Sequence, residues 1–483
     1  MSLVPILILA VPGVLGLVAF FGRGPRLLRG CLLGGAAAHA ALVASLWSGS
    51  AGRGIHTMPG LGVDALGLLF LSLASLLFLA TSLHALGELA PDTTSRGTAD
   101  ARFVACLLWF LASMSLVVLS QHFAVMWAAV EATTLASAPL IFHHHRREAL
   151  EAAWKYLVLC SVGIAIALLG TFFLGIAASS VPGQTPHLSL PALLSLAGGL
   201  SHRWLEAAFV LALVGYGTKL GLVPLHSWLP DAHSQAPSPV SALLSGALLN
   251  CALLAVLRFY QVLVAAGDGA FARPLLLVLG FLSIGVAAAL MVGQRDYKRL
   301  LAYSSVENMG VVVVGCALTG PAVYAGLLHA VNHSLCKAAL FLLAGNVLRR
   351  YGTTAAGGVT GVVRRLPATG VLLAVAMLAI GGSPPFGPFI SEFSIFSAAV
   401  AGPSPGLGVL FVGLLGVGFL GMAGVMLPML QGVPPAREVT PEAPRTLLAP
   451  LLLLAAVLAL GLVIPAALDQ HLRAAAVALQ EAR

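Results

Sequence analysis

The sequence predicts an all-α polytopic membrane protein of about fourteen transmembrane helices. Three observations predict it. Of 483 residues, 59% are apolar and only 9% are charged, against roughly 25% charged in a soluble globular chain. Apolar runs recur from end to end, and most approach the roughly twenty residues needed to cross a bilayer. The alternating ten-residue strands of an outer-membrane barrel are absent from the pattern.

In order, the runs cover about 3–22, 30–48, 64–87, 103–120, 122–142, 154–177, 204–229, 238–263, 274–293, 299–319, 322–348, 368–400, 406–430 and 447–467. The first lacks a basic leader and a clear cleavage site, so it is expected to be a retained helix. The net charge of +8 reads as basic residues gathered in loops that stay inside, not as a nucleic-acid surface. With the N-terminus outside, the inside loops hold seventeen Lys and Arg residues, Arg96 and Arg437 among them. The outside segments hold five: Arg53, Arg203, Arg273, Arg473 and Arg483. This asymmetry predicts both termini on the outer side of a plasma (inner) membrane and an even number of crossings.

Charge is scarce and placed where it is costly. Lys219 and Lys337, two of four lysines, fall at the centres of their runs. Glu131 is central in "FAVMWAAVEATTLASAPLIF", Glu307 lies near the middle of the tenth run, and Glu392 follows a Gly/Pro break in the twelfth. A charge at the bilayer centre costs about 2.5–3.5 kcal/mol on the lenient insertion scale. Such residues persist when they are paired, face the protein interior or line a wet cavity. An isolated case is often a structural ion pair. Five, with both signs represented, point to a proton or ion path.

The eleventh run adds "HAVNHSLCKAALF". His329, His333 and Lys337 are spaced i, i+4, i+8 and so share one helix face, each about 6 Å further along the axis. Histidine exchanges protons near neutral pH, so the three form a ladder of titratable groups. An opposite charge favours the charged form and its withdrawal favours the neutral form. A Glu131–Lys219 pair whose separation changes is therefore a switch.

The seventh run, "GTKLGLVPLHSWLPDAHSQAPSPV", contains Pro224, Pro230 and Pro237, which an unbroken helix does not accommodate. It is expected to break near Pro224 and to supply His226 and Asp231 as supporting polar groups. The twelfth run repeats the device in "AIGGSPPFGPFISEF", with Pro384 and Pro385 at the break. Broken helices at membrane depth are tolerated where they line a polar cavity. Two breaks five runs apart predict two inverted five-helix repeats. The expected organisation is three N-terminal helices in 1–102, a first half in 103–263 (helices 4–8), an inverted second half in 274–430 (helices 9–13), and a last helix and tail in 431–483.

Other chemistries lack their residues. The six cysteines form no C-x-x-C pair, which argues against disulfide, zinc and iron–sulfur frameworks. No phosphate-binding or dinucleotide glycine motif is present. No cofactor, metal or catalytic residue is expected. "HHHRRE" (143–148) is read as a loop rather than a metal site. "RDYKR" (295–299) is read as a basic anchoring loop. "DQHLRAAAVALQEAR" is read as an amphipathic tail on the outer face or against a neighbour.

"KLGLVPLHSWLPDAHSQAPSPVSALLSG", together with "YKRLLAYSSVENMG" and "NHSLCKAALFLLAG", resembles the proton-translocating antiporter-like subunits of respiratory complex I and of Mrp-type antiporters. The resemblance covers about residues 65–430. "VEATTLASAPLIF", "WKYLVLCSVGIAIALLGTFF" and "GSPPFGPFISEF" resemble more closely the F-type membrane subunit of group 4 hydrogenases, the hydrogenase-4 and formate hydrogenlyase type. The chain is expected to lack the long lateral helix of the largest complex I subunit. The resemblance implies that Glu131 pairs with Lys219, that His333 and Lys337 continue the path, and that Glu392 lies nearest its exit. Asn250 stands where many complex I subunits carry lysine or histidine, and Asn308 where they often carry histidine. Asn250 orders water but carries no proton, so central transfer is expected through water or through His329 and His333, or pumping is impaired.

The reading is a non-redox, proton-translocating membrane subunit of a hydrogenase-like or complex I-like assembly, with other membrane subunits and the lipid bilayer as its partners. A cation/proton antiporter subunit, with sodium as the second ion, is the alternative. A structural scaffold that has lost pumping is the third reading.

Overall fold

The computed structural model describes residues 3–49, 55–58, 60–86, 97–143, 145–181, 187–433 and 441–480. Each predicted run overlaps helix, two of them with a non-helical connector inside. The principal helices are α1 Val4–Phe21, α2 Pro25–Gly49, α3 Ala65–Ala85, α4 Gly97–Leu119, α5 Phe123–Ile141, α6 Arg147–Ser179, α7 His202–Leu220, α8 Trp228–Gln235, α9 Ser238–Ala265, α10 Gly269–Met291, α11 Tyr297–Ala317, α12 Pro321–Tyr351, α13 Pro367–Ile380, α14 Gly387–Ala401, α15 Gly406–Gln431, α16 Pro444–Leu462 and α17 Ala466–Ala478. Among the described residues, twelve of these are long and apolar enough to cross a membrane. The chain is a multi-pass membrane protein. A two-stranded antiparallel hairpin, β1 Ile55–Met58 and β2 Leu61–Val63, is an addition that the all-α reading did not contain.

The seventh and twelfth runs are divided. α7 stops at Leu220 because Gly221 takes a left-handed conformation (φ 80°), which glycine adopts without a Cβ clash. The break therefore begins before Pro224, which lies exposed in the connector. Val223 N–H donates to Ser283 Oγ of α10 (3.0 Å), and Trp228 Nε1 donates to Thr218 O (2.8 Å). In the twelfth run α13 ends at Ile380, Gly382 is left-handed (φ 69°), and α14 begins after exposed Pro384 and Pro385. One irregularity has no sequence signature: Leu244–Leu248 of α9 forms a π-helical turn.

Helices pack closely where small residues meet. A Cβ on Gly215 of α7 would lie 2.5 Å from Gly163 O of α6, and one on Gly310 of α11 would lie 2.7 Å from Gly280 O of α10. Small residues let helix backbones approach where lipid supplies no hydrophobic drive. α9 and α12 each have an 18-residue stretch that is entirely buried, which places them at the bundle centre.

Polar contacts mark two ends of the bundle. At one, Asp231 accepts from Lys155 (3.2 Å) and Arg299 (2.9 Å), tying α8 to α6 and α11. Ala356 N–H donates to Arg295 O (2.8 Å), joining the end of α12 to the start of α11 at this same end. The reading of 295–299 as an anchoring loop needs correction, because Lys298 is buried and donates to Ala236 O (2.6 Å). The reading of 143–148 concerns partly undescribed residues: His144 lies outside them, while His143 and His145 pack on Phe103 and Phe142. Arg53, Arg96, Arg437 and Arg483, used in the charge count, also lie outside the described residues.

At the other end, α17 folds back onto its own chain. It buries Leu472, Ala475 and Ala476; Tyr324 donates to Asp469 (2.7 Å), and Gln261 donates to Ala478 O (3.3 Å). Beside it, Arg258 of α9 is only 2% exposed and forks onto both carboxylate oxygens of Asp64 (2.6 Å each), the N-cap of α3. Burial works to raise the Asp64 carboxyl, but the Arg258 charge, its hydrogen bonds and the Gly67 N–H hold it below its usual value. The stabilisation is thus present above the ordinary carboxylate range and is lost as pH falls through the depressed folded value. Asp64→Asn leaves a buried guanidinium without its charge partner. The expected loss is about 3 kcal/mol, read by reversible mixed-micelle unfolding at pH 7, together with loss of the acid-side step in stability.

Candidate functional site

Lys219 occupies the last turn of α7, where the helix dipole favours a cation. It is 0% exposed. Its Nζ donates to Thr134 Oγ1 of α5 (2.6 Å) and to the Tyr156 hydroxyl of α6 (2.8 Å), and lies 4.7 Å from the Tyr156 ring centre. Tyr156 in turn shares a hydrogen bond with Ser137 (2.7 Å). Glu131 sits one turn before Thr134 on α5. Its Oε1 accepts from Ser161 of α6 (2.7 Å), while its buried Oε2 accepts from no protein group. The structure therefore brings Glu131 and Lys219 to the same α5–α6 seam without a direct ion pair.

A second station surrounds Lys337, also 0% exposed. Its Nζ donates to Ser304 Oγ (2.5 Å) and Leu301 O (2.9 Å) of α11. One turn further along α11, Asn308 Oδ1 meets His329 Nε2 (3.1 Å), and His329 Nδ1 meets Ser391 Oγ of α14 (3.0 Å). The predicted ladder on α12 is present as a buried face. Lys337 bonds to α11 and His329 to α11 and α14, not to each other, while His333 has no protein hydrogen bond on either ring nitrogen.

Between the stations lies α9. Asn250 Nδ2 donates to Gly246 O (2.8 Å) and to Ser334 Oγ of α12 (2.7 Å), and Ser245 in the π turn pairs with Ser305 of α11 (2.8 Å). Beyond Lys337, Glu307 is 6% exposed and its Oε1 has no protein partner. Its carboxylate rests against Gly418 of α15, where any Cβ would collide with it. Glu392 is packed the same way against Gly382.

The two remaining predicted groups lie apart. Asp231 is engaged at the end of the bundle by Lys155 and Arg299. His226 is in the α7–α8 connector, its ring 6.3 Å from that of Tyr303. Sequence reasoning missed the hydroxyls that hold the lysines: Thr134, Tyr156, Ser304. It also passed over His233, wholly buried and stacked on Phe341 (4.8 Å between ring centres, 12° between planes). The signal for Thr134 was its i+3 spacing from Glu131; His233 stood in the quoted proline-rich stretch.

Fold and site together define a multi-pass membrane protein of the antiporter-like type, built around a buried polar file and two divided helices. Residues 120–432 match the family described as NADH:quinone oxidoreductase/Mrp antiporter, transmembrane, and the chain belongs to it. It is 37% identical over 377 residues, 76% of this chain and 77% of the relative, to the Hydrogenase-4 component F homolog of Methylacidiphilum infernorum. It is 31% identical over 398 residues, 75% of this chain, to Hydrogenase-4 component B of Escherichia coli, and spans 57% of that protein. Its fold matches a chain of the Mrp complex from Dietzia sp. DQ12-45-1b, with TM-score 0.86, 22% identity, and coverage of 100% of this chain and 98% of that one. It also matches a chain of respiratory complex I from Thermus thermophilus, with TM-score 0.78, 27% identity, and coverage of 95% and 97%.

Lys219 has hydroxyls around it and no carboxylate in ion-pair contact, so its charge is a burden on the fold. Lys219→Met keeps the length and removes the charge. Its stability is expected to equal the wild type or exceed it by about 1–3 kcal/mol, measured by mixed-micelle unfolding. A clear loss of stability would show that the ammonium is structural.

Proposed function

We propose that this chain carries protons across the membrane as a non-redox subunit of a larger assembly with hydrogenase-like or complex I-like partners. The observation that carries this reading is the pair of fully buried lysines: Lys219, held by the hydroxyls of Thr134 and Tyr156, and Lys337, held by the Ser304 hydroxyl and the Leu301 carbonyl. A fold has no stability reason to bury two such cations, whereas a path for protons needs groups that gain and lose them. Membership of the family and the likeness to a hydrogenase-4 component support the reading.

In this mechanism Glu131 and Lys219 form the first station. Withdrawal of the Glu131 charge favours release of the Lys219 proton, and its return favours uptake. Transfer continues past Asn250 to His333, Lys337 and His329, and ends at Glu392. The connectors 221–227 and 381–386 open the file to water at the two faces. The halves 103–263 and 274–430 act as inverted repeats, each with its own divided helix. Both termini lie on the outer side of the plasma membrane.

The test is proton flux in proteoliposomes holding the complete assembly. Lys219→Met and Glu131→Gln each reduce driven proton uptake to near background while the partner enzyme still turns over. Undiminished uptake in both removes this pathway. Flux that requires sodium selects the cation/proton antiporter reading, and absence of flux in the wild type selects the scaffold.

A further inference from the structure

A basic cavity of about 220 Å³ opens at the end of the bundle where α12 finishes and α13 and α16 begin. Arg349 and Arg350 come from α12, Thr369 from α13, and Arg445 from α16, with Glu442 just before α16. It lies apart from the polar file and takes no part in the path described above. Asn346 cross-links its floor, donating towards Thr369 Oγ1 (3.3 Å) and Thr446 O (3.2 Å) and accepting from Arg349 (2.5 Å).

Charge decides what this cavity suits. Among the described lining residues, three arginines stand with one carboxylate. Both Glu442 oxygens are already engaged by the N–H groups of Ala368 (2.8 Å) and Thr369 (3.0 Å), at the start of α13. The carboxylate thus serves the helix N-terminus, and the guanidinium groups outnumber it. Arginine forks match phosphate geometry, and basic pockets between transmembrane helices near a membrane face bind anionic headgroups. The surface next to the cavity is apolar: Val371 on α13 and Leu448 and Leu452 on α16 are 53%, 48% and 57% exposed within about two turns of it. A free phosphate uses only the cavity, whereas a phospholipid uses both the cations and the apolar strip beside them.

We propose that this cavity binds the phosphate headgroup of an anionic phospholipid, whose acyl chains lie along α13 and α16. The lipid would fasten α16 to α12 and α13 at this face.

The experiment is native mass spectrometry of the full-length chain titrated with phosphatidylglycerol, phosphatidylcholine or inorganic phosphate in detergent. The wild type retains phosphatidylglycerol in preference to phosphatidylcholine, and inorganic phosphate neither binds detectably nor displaces it. Arg349→Gln with Arg445→Gln weakens phosphatidylglycerol binding about tenfold or more, while Arg26→Gln at a distant site does not. Glu442→Gln, which removes that carboxylate, tightens it. These opposite changes keep the test decisive if the arginine variant is not recovered folded. Equal retention of the two lipids, binding unchanged by either substitution at the cavity, or displacement by inorganic phosphate overturns the proposal.

Discussion

The constraint on which the structure depends is the burial of two lysine side chains away from both water and carboxylates. In hydrocarbon such a group must have its hydrogen bonds met by protein. Lys219 obtains them from α5 and α6, and Lys337 from α11. Each lysine thereby marks the neighbours of its own helix: Lys219 meets the α5–α6 seam, and Lys337 meets α11. The helices that carry the lysines can meet these demands because glycine contacts, such as Gly163 with Gly215, bring their neighbours close.

Helix ends matter as much as helix faces. α7 stops one residue after Lys219, so the negative end of its dipole and the side-chain amine share a place. The break is then pinned from outside: Ser283 takes up the free N–H of Val223, and Trp228 satisfies the carbonyl of Thr218. Backbone groups released by an interruption would be costly if left unpaired. Here they are met by side chains of α10 and α8. The interruption is thus built into the fold. The same economy operates at the π turn of α9, where Gly246 O accepts the Asn250 amide and Ser245 reaches Ser305. π turns often accompany functional sites.

Much of this was legible in the sequence because membrane chains have few ways to hide polarity. Apolar runs located the helices, and scarce charges located the file: Lys219, Lys337 and Glu307 are buried as expected. Proline and glycine located both interruptions, although α7 ends at Gly221 and not at Pro224. Local pattern did not reveal which hydroxyls would cradle the lysines, because Thr134 and Ser304 look like ordinary residues of polar-tolerant helices until the partner helix is placed. Nor did it separate Lys298 from its basic neighbours. Arg295 and Arg299 stay near the surface, while Lys298 turns inward to Ala236 O. Whether a loop cation faces water or carbonyl is a tertiary fact. The ladder on α12 shows the opposite limit. Periodicity placed three groups on one face, but it did not show that His329 and Lys337 would bond across to other helices while His333 would make no protein hydrogen bond.

The middle of the file is where sequence and geometry press hardest on each other. Asn250 uses its amide N–H groups on Gly246 O and Ser334 Oγ, which leaves only its oxygen facing the interior without a partner. An amide in that state holds a neighbour in place but does not take and release a proton. The adjacent residue on α12, His333, has two ring nitrogens without protein hydrogen bonds, and so does His233 on α8. Buried imidazoles left free in this way are unusual, since buried polar groups are normally bonded. A static core would have filled these positions with apolar side chains or closed their hydrogen bonds. Their presence beside Asn250, whose amide takes up no proton, sets this stretch of the buried polar file apart from an ordinary apolar helix core.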